Sequence, residues 1–220
     1  PHPAGQRELN VPKQDNEPIP GIQHKYDQTV LFFPSPGQTC HTYCTYCFRW
    51  AQFVGDPDQR FASNESASLY HYLMNQPNVT DVLITGGDPM VMKTRVLERF
   101  IEPLLSVPHL RSIRIGTKSL AWWPQRYVTD PDADDLMRLF DRVRQHGKHL
   151  ALMAHSSHPR ELEPSIAQEA IRRLVNTGTT VRCQAPLIRG VNDDPFTWAE
   201  LWRRQVQLGA VPYYMFIERD

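Results

Sequence analysis

The sequence predicts an α/β fold, a partial, open six-stranded parallel β/α barrel. Short apolar runs rich in Val, Ile, Leu and aromatic residues alternate with segments of helical spacing. Such alternation is typical of a parallel sheet with right-handed crossovers. Six units are fewer than the eight of a closed barrel, so we expect an open one. The chemically suggestive motifs follow predicted strands, and this is where parallel α/β folds bind ligands.

The sequence predicts two regions, an N-terminal arm and a barrel core that begins at residue 30. Residues 1–29 are rich in Pro, Gln, Asn and charged residues and contain few apolar ones, so we expect an irregular N-terminal arm. Residues 30–220 form the predicted barrel core. Its strands are expected at Val30–Phe33, Asp81–Thr85, Ser112–Gly116, His149–Ala154, Val181–Ile188 and Pro212–Ile217.

Five predicted helices lie between these strands. Gly147, Gly178 and Gly209 follow the third, fourth and fifth helical segments, where a glycine can end a helix. Asp194–Pro195 predicts an N-cap followed by a first-turn proline. The helices are marked by apolar residues that include Leu69 and Leu73, Leu97 and Ile101, Leu136 and Phe140, Ala170 and Leu174, and Trp198 and Leu201.

The composition excludes several classes of function. The 220 residues carry 24 Lys and Arg against 24 Asp and Glu, a formal net charge of zero. A net charge of zero does not indicate the basic surface that binds nucleic acid or an anionic membrane. No apolar run is long enough to span a bilayer, and residues 1–10 do not resemble a signal peptide. We therefore expect a cytoplasmic protein that binds neither nucleic acid nor a membrane.

Three of the four cysteines lie within one loop after the first predicted strand. Cys40, Cys44 and Cys47 can converge on one iron–sulfur cluster if the loop wraps around it. A cubane normally takes four thiolates, so three would leave one iron open for a ligand. A zinc site that adds His41 is an alternative, although a second Cys pair is missing. A ferredoxin-like carrier would need a fourth nearby cysteine, and Cys183 is interpreted as a buried strand thiol.

A glycine pair ends the second predicted strand. Gly86 and Gly87 would let the backbone approach a ligand closely, and Asp88 offers an acceptor for an ammonium group. By itself Gly-Gly-Asp is also an ordinary turn. His155 directly follows the fourth predicted strand, and Gln184 lies in the fifth. A polar residue at such a position can equally be a loop residue or a helix cap.

The cysteine loop resembles the signature of the radical S-adenosylmethionine (SAM) superfamily. The spacing is C-x3-C-x2-C, and aromatic Tyr46 precedes the third cysteine. The resemblance implies that a 4Fe-4S cluster chelates the amino and carboxylate groups of SAM. Reductive cleavage of SAM would then give a 5′-deoxyadenosyl radical that abstracts hydrogen from the substrate. The resemblance further implies that Tyr46 lies near the adenine and that the Gly86–Asp88 turn binds the SAM amino group.

Within that superfamily, nearly the whole chain resembles the lysine 2,3-aminomutase family. The resemblance implies that His155 and Gln184 contact SAM. It also implies that the segment from Leu187 to Asn192 flanks the adenine and ribose of SAM. It also implies that Arg49 binds a substrate carboxylate, for which a guanidinium fork is suited. The matching strings are Pro20–Gly21, the cysteine loop through Phe48 and Arg49, Asp81–Asp88, Arg114–Gly116, Pro124–Arg126, His155–Pro159, Arg189–Asp193 and Pro212–Tyr214.

Three departures bear on pyridoxal phosphate (PLP), which family aminomutases bind. The family's PLP lysine lies beyond the sixth strand, in a stretch that a sequence ending at Asp220 does not contain. The arginine-rich run before the first strand is replaced here by His24–Gln28. The family's substrate-reading Asp would fall near Asp220, where this sequence is shifted by one residue.

We therefore expect a radical SAM enzyme that acts on a small amine, an amino acid or a peptide, without PLP. It would take its electron from an external one-electron reductant such as flavodoxin or ferredoxin. One alternative is a PLP-dependent amino-acid 2,3-aminomutase seen without its C-terminus. Another is a non-catalytic iron–sulfur or zinc protein.

Overall fold

The predicted strands are all present, and they divide between two units of the chain. The computed structural model describes residues 9–47, 49–50 and 61–217. The units are residues 1–115 and 116–220. Phe48 and Asp220, which carried part of the family resemblance, lie outside the described residues.

The first unit contains a mostly parallel sheet. Its strands are β3 (Ile22–Tyr26), β4 (Thr29–Phe32), β5 (Asp81–Ile84) and β6 (Ser112–Thr117), in that order, with β6 reaching the unit boundary. Strand β5 is parallel to both β4 and β6, and Val30, Val82 and Ile113 occupy one register position. All three are fully buried. The sheet forms because β-branched and aromatic residues at alternating positions fill the core.

The described part of the N-terminal arm is not irregular, so that prediction is wrong. Strands β1 (Lys13–Gln14) and β2 (Glu17–Pro18) form an antiparallel hairpin. Its two turn residues, Asp15 and Asn16, both have positive φ, as a tight hairpin turn requires. Strand β3 then pairs antiparallel with β4 and buries Ile22 completely. The arm's few apolar residues thus contribute to the core, and the sheet begins before residue 30.

The second unit contains three parallel strands. They are β7 (His149–His155), β8 (Thr180–Pro186) and β9 (Val211–Phe216), in that order. Strand β7 is buried over five consecutive residues, as expected of a strand covered on both faces. In this register His155 lies opposite Gln184, so the ends of β7 and β8 are brought together.

The five predicted helices are present, and two short helices follow β6. Asp194 caps the last helix through hydrogen bonds from the Phe196 and Thr197 backbone amides, and Pro195 is its first residue, as predicted. No helix in the described part of the chain has both the length and the apolar character needed to cross a bilayer. The helices are α1 (Ser66–Met74), α2 (Thr94–Leu105), α3 (Ser119–Trp122), α4 (Gln125–Val128), α5 (Ala133–Gln145), α6 (Ser165–Asn176) and α7 (Pro195–Gln207).

The burial of Ile22 predicts that the arm contributes to stability. Replacing Ile22 with Ala should lower the free energy of unfolding by about 2–5 kcal/mol, the usual cost of truncating a buried aliphatic side chain. Ile217, which is 76% exposed, provides a matched control whose replacement by Ala should change little. Chemical denaturation of both variants measures the difference, and equal small effects would show that β3 does not pack on the core.

Candidate functional site

The three clustered cysteines lie in a tightly turned loop after β4. Each side chain is partly exposed, and Tyr46, between the second and third cysteine, is half-buried. The Cys47 backbone amide donates to the Cys44 carbonyl at 3.0 Å. Tyr43 has a left-handed backbone with φ of 43°, uncommon for a residue that is not glycine. The loop therefore bends sharply between its first and second cysteine.

The Cys47 thiol lies within electrostatic reach of the other two cysteines of the loop. Burial raises the pKa of the Cys47 thiol, and the negative charges of Cys44 and Cys40 raise it further. A hydrogen bond from the Arg49 backbone and the Arg49 charge act in the opposite direction. Thiolates placed this way are stabilised by a shared cationic centre.

These thiols fit a cluster by their chemistry, although they do not converge on a single ion. Among the described residues, no group of three or more His, Cys, Asp or Glu side chains is gathered closely enough to hold a metal ion. A cubane is held by thiolates on separate irons, so its ligands surround it instead of meeting at one point. The donor set, three thiols within electrostatic reach of one another, is the kind that a cluster uses.

Arg49 lies beside this loop in an aromatic setting. Its guanidinium is 4.2 Å from the centre of the Phe33 ring, within the range of a cation–π interaction. Burial lowers the pKa of Arg49 to about 10, and the negative charge of Cys47 opposes that shift. Arg49 therefore keeps its positive charge at neutral pH. It lies on the ring of Phe33, the last residue of the first predicted strand.

The glycine pair approaches the cysteine loop itself. A Cβ atom on Gly87 would lie 2.5 Å from the carbonyl oxygens of both Gln38 and Thr39, and one on Gly86 would lie 2.1 Å from Gln38 Nε2. The Asp88 amide donates to the Thr39 carbonyl at 3.0 Å. The glycines were predicted to admit a ligand; in the structure they admit the chain just before Cys40.

The Asp88 carboxylate is turned inward. The residue is 1% exposed, and Oδ1 accepts a hydrogen bond of 2.9 Å from the Met90 backbone amide. In this position Asp88 is the N-cap of a short 3-10 helix, Pro89–Val91. Its Oδ2 is 3.8 Å from His41 Nε2. The predicted ammonium acceptor is thus held by contacts within the protein.

His155 and Gln184 lie together in the second unit, as partners at the ends of β7 and β8. Burial, followed by the positive charge of Lys118, lowers the pKa of His155 to about 3. The imidazole is therefore neutral at physiological pH. The Phe216 ring is 6.3 Å from it, and Gln184 is half-buried.

The Asn192 side chain is held by three hydrogen bonds to the backbone. It is fully buried, and its Nδ2 donates to the backbone carbonyls of Ser157 and Pro186 at 2.9 and 3.0 Å. Its Oδ1 accepts a hydrogen bond of 2.7 Å from the Ile188 backbone amide. These bonds use the amide to join the loops after β7 and β8, which favours a loop-fixing role over direct contact with SAM. Half-buried Leu187 donates its backbone amide to Phe216 at 2.8 Å.

Lys118 is a residue near His155 that was not predicted to belong to the site. The side chain is buried, and Nζ lies 3.3 Å from both Ser157 Oγ and Glu161 Oε1. Glu161 Oε2 in turn accepts a hydrogen bond of 2.7 Å from the Ser157 backbone amide. This network holds the loop after His155. A lysine directly after a strand is the one signal in the sequence that could have indicated it.

Comparison with known families and proteins supports an iron–sulfur cluster at the cysteine loop. Residues 29–113 match the family model described as a 4Fe-4S single cluster domain. A protein of Aquifex aeolicus with the provisional name L-lysine 2,3-aminomutase is 39% identical over 198 residues, which cover 90% of this chain and 51% of the relative. The L-lysine 2,3-aminomutases of Clostridium subterminale and Bacillus subtilis are 30% and 31% identical, over 91% and 93% of this chain.

The chain spans about half the length of these curated relatives, 45% of the Clostridium enzyme and 41% of the Bacillus enzyme. Among solved structures, a radical SAM methyltransferase from Sphaerobacter thermophilus superposes with a TM-score of 0.53 at 17% identity. The superposition covers 84% of this chain and 55% of that chain. This likeness confirms the α/β fold with a mostly parallel sheet, and the sequence matches confirm the resemblance to lysine 2,3-aminomutases.

The environment of His155 predicts a specific response to acid. Its pKa is about 3 in the folded protein and about 6.5 in an unfolded chain. Below about pH 6.5 the unfolded state binds a proton that the folded state does not, so this residue destabilises the fold progressively down to about pH 3. NMR titration, with the signal assigned through a His155→Gln variant, should show a neutral imidazole at pH 5. A protonation midpoint near pH 6.5 would contradict the burial.

Proposed function

We propose that Cys40, Cys44 and Cys47 hold a 4Fe-4S cluster that binds SAM. The premise is that the chain is an enzyme of the radical SAM type, homologous to the lysine 2,3-aminomutases. When bound, the cluster supplies the electron that cleaves SAM to a 5′-deoxyadenosyl radical, which abstracts hydrogen from the substrate. The observation that carries the proposal is the cysteine loop. Its Cys40 and Cys44 both act electrostatically on the Cys47 thiol, and its start is fixed against the Gly-Gly-Asp turn.

The substrate in this proposal is a small amine, an amino acid or a peptide. Arg49 would bind its carboxylate. The guanidinium stacks on Phe33 close enough to Cys47 for their charges to interact, so it presents a fixed positive charge beside the cluster ligands. A planar fork held on an aromatic ring is well suited to a carboxylate.

In the second unit, we propose that His155 and Gln184 contact SAM. A neutral imidazole and an amide offer both donors and acceptors without charge, which suits the polar edges of adenine and ribose. Leu187 would add apolar contact with the adenine, as Tyr46 would in the first unit. Asn192 would act by holding the Leu187–Asn192 loop in place through its three backbone hydrogen bonds.

We propose chemistry without PLP. The segment where the family is rich in arginine contains His24 and Lys25. His24 Nδ1 is 2.5 Å from Tyr72 Oη, and Lys25 lies over the Tyr26 ring at 5.2 Å. His24 is thus engaged within the protein. The proposal also includes an open, partial barrel and an external one-electron reductant, such as flavodoxin or ferredoxin, for the cluster.

The cluster assignment predicts distinct effects for the four cysteines. Protein reconstituted anaerobically should hold about four irons and four sulfides, the content of a cubane, and its reduced EPR signal should change when SAM is added. Replacing Cys40, Cys44 or Cys47 with Ala should abolish the cluster. Cys183, buried within β8, is the matched control, and iron content should survive its replacement. Loss of the cluster in the Cys183 variant alone would refute the assignment.

The inward position of Asp88 predicts that its shape matters more than its charge. Asp88→Asn keeps an oxygen to cap the Met90 amide, so SAM affinity should stay close to that of the wild type. Asp88→Ala removes the cap, should cost about 1 kcal/mol of stability and should weaken SAM binding by loosening the turn. Equilibrium dialysis with SAM tests both variants. An equal loss of affinity in Asn and Ala would show that the carboxylate charge itself contacts the ammonium group.

The proposed role of Arg49 predicts that a lysine cannot replace it. Arg49→Lys should keep the cluster and SAM binding, but it should slow SAM cleavage in the presence of L-lysine by roughly tenfold or more, because a bidentate charged pair is lost. The measurement is 5′-deoxyadenosine release by the reconstituted protein. Arg95→Lys, at an exposed position of α2, is the control. An unchanged rate in Arg49→Lys would rule out carboxylate recognition by the fork.

A further inference from the structure

Arg182 lies within β8, on the side of the strand that also carries Gln184. Successive side chains of a strand point to opposite faces, and burial follows that alternation here. Val181 and Cys183 are buried, whereas Arg182 and Gln184 are partly exposed. Because Gln184 is the partner of His155 on β7, Arg182 belongs to the sheet face for which we propose contact with SAM.

The neighbours of Arg182 on the two adjacent strands are apolar. Met153 of β7 and Val211 of β9 occupy its register position, and residues opposite one another in parallel strands point to the same face. Met153 is buried, and Val211 is 46% exposed. Neither side chain can neutralise a guanidinium, so the flanking strands supply no counter-ion at this position.

The Arg182 guanidinium lies over an aromatic ring instead. Its central carbon is 5.6 Å from the centre of the Tyr213 ring, within the range of a cation–π interaction. The register of β8 and β9 shifts at this point, and Tyr213 is the extra residue of β9 directly before Tyr214, the partner of Gln184. The Arg182 side chain therefore extends along β8 toward the end of the strand where Gln184 lies.

A row of aromatic rings runs from this arginine to His155. The ring centres of Tyr213 and Tyr214 are 4.9 Å apart, and those of Tyr214 and Phe216 are 5.8 Å apart. The Phe216 ring is in turn 6.3 Å from the His155 ring. Tyr213 and Tyr214 are 49% and 44% exposed, so the row is open to solvent. It has the Arg182 guanidinium at one end and an imidazole at the other.

The charge of Arg182 has no counter-ion among the residues that the structure describes. Its side chain forms no ion pair and donates no hydrogen bond within that part of the chain, and its contact is with the Tyr213 ring. Lys118, by contrast, is compensated by Glu161. A guanidinium is always charged and carries several N–H donors, which a ring face does not use as an oxygen would. These donors are therefore available to an anion that enters from solvent.

We infer that Arg182 binds a side-chain carboxylate of the substrate, so that the enzyme favours an acidic amino acid. The inference rests on the proposed function and narrows its substrate class. Because the α-carboxylate is already assigned to Arg49, a second guanidinium calls for a second carboxylate. A planar fork pairs with a carboxylate through parallel N–H···O bonds, and the adjacent aromatic row offers apolar contact to the methylene groups of the substrate.

The test compares acidic amino acids with their uncharged amides. L-glutamate and L-glutamine, and L-aspartate and L-asparagine, are bound to reconstituted wild type and to Arg182→Met by equilibrium dialysis, with SAM present and without a reductant. The wild type should bind at least one acid roughly tenfold or more tightly than its amide, as for a hydrogen-bonded charged pair. Arg182→Met keeps a long apolar side chain on Tyr213 and should lose this preference, while it binds SAM as the wild type does.

A purely structural role for Arg182 would give another pattern. A preference for the acid that Arg182→Met retains would overturn the inference. A loss of SAM affinity in Arg182→Met would also overturn it, because the guanidinium would then bind the carboxylate of SAM. Arg138→Met is the matched control, since its side chain is 71% exposed on α5. It should leave the preference unchanged, and a decrease as large as in Arg182→Met would count against the inference.

Three further outcomes separate this inference from the proposed function. If Arg182→Met cannot hold the cluster, Arg182→Gln removes the same charge, and the same loss of preference is expected. Wild type that holds the cluster and binds SAM, but prefers neither acid over its amide, would overturn the Arg182 inference alone. Wild type that holds no cluster and binds no SAM would overturn both proposals.

Discussion

In the first unit, Gly87 meets the backbone of Gln38 and Thr39 at a distance that leaves no room for a Cβ atom. Strands β4 and β5 are parallel neighbours, with Phe32 opposite Ile84, so the chain leaves both strands at the same edge of the sheet. The Asp88 backbone amide then donates to the Thr39 carbonyl, and the Gln38 side-chain amide donates to the Thr85 carbonyl. The position of Cys40, one residue after Thr39, follows from this contact.

This contact gives the two glycines a physical reason that does not depend on a ligand. Only a residue without a Cβ atom can take the place of Gly87 against the carbonyl oxygens of Gln38 and Thr39. Gly86 lies against the Gln38 side chain and has a positive φ of 143°. The same contact encloses the Gln38 amide and turns Asp88 inward as a cap. Cluster loop and glycine turn are therefore one structural feature, and a change in either displaces the other.

The sequence was sufficient to predict the elements whose signal is local. Val30, Val82 and Ile113 could be assigned to strands because β-branched residues recur in short runs, and Asp194–Pro195 could be assigned to a helix start because its capping chemistry is local. The hairpin at Asp15–Asn16 was missed because two-residue strands carry almost no periodic signal. Asp15 and Asn16 are nevertheless residue types that favour turns.

The contacts of single polar side chains could not be predicted in the same way. Asn192, Gln38 and Lys118 are ordinary polar residues in the sequence, and nothing in their type tells which carbonyl or carboxylate they meet. The resemblance implied that Asn192 flanks the adenine and ribose of SAM, but it could not indicate that the Asn192 amide bonds to the Ser157 and Pro186 carbonyls. Tertiary pairing, which depends on the register of β7 and β8, decides between these roles.

The two units hold their candidate site residues by different physical means. In the first unit the constraint is steric, since backbone lies on backbone at Gly87. In the second it is electrostatic, since Lys118 and Glu161 form a largely buried ion pair whose carboxylate also holds the Ser157 amide. Removing one member of such a pair leaves an uncompensated buried charge, commonly at a cost of about 3–5 kcal/mol. Because the Lys118 charge also acts on His155, the residues that hold the loop after β7 also help keep the imidazole neutral.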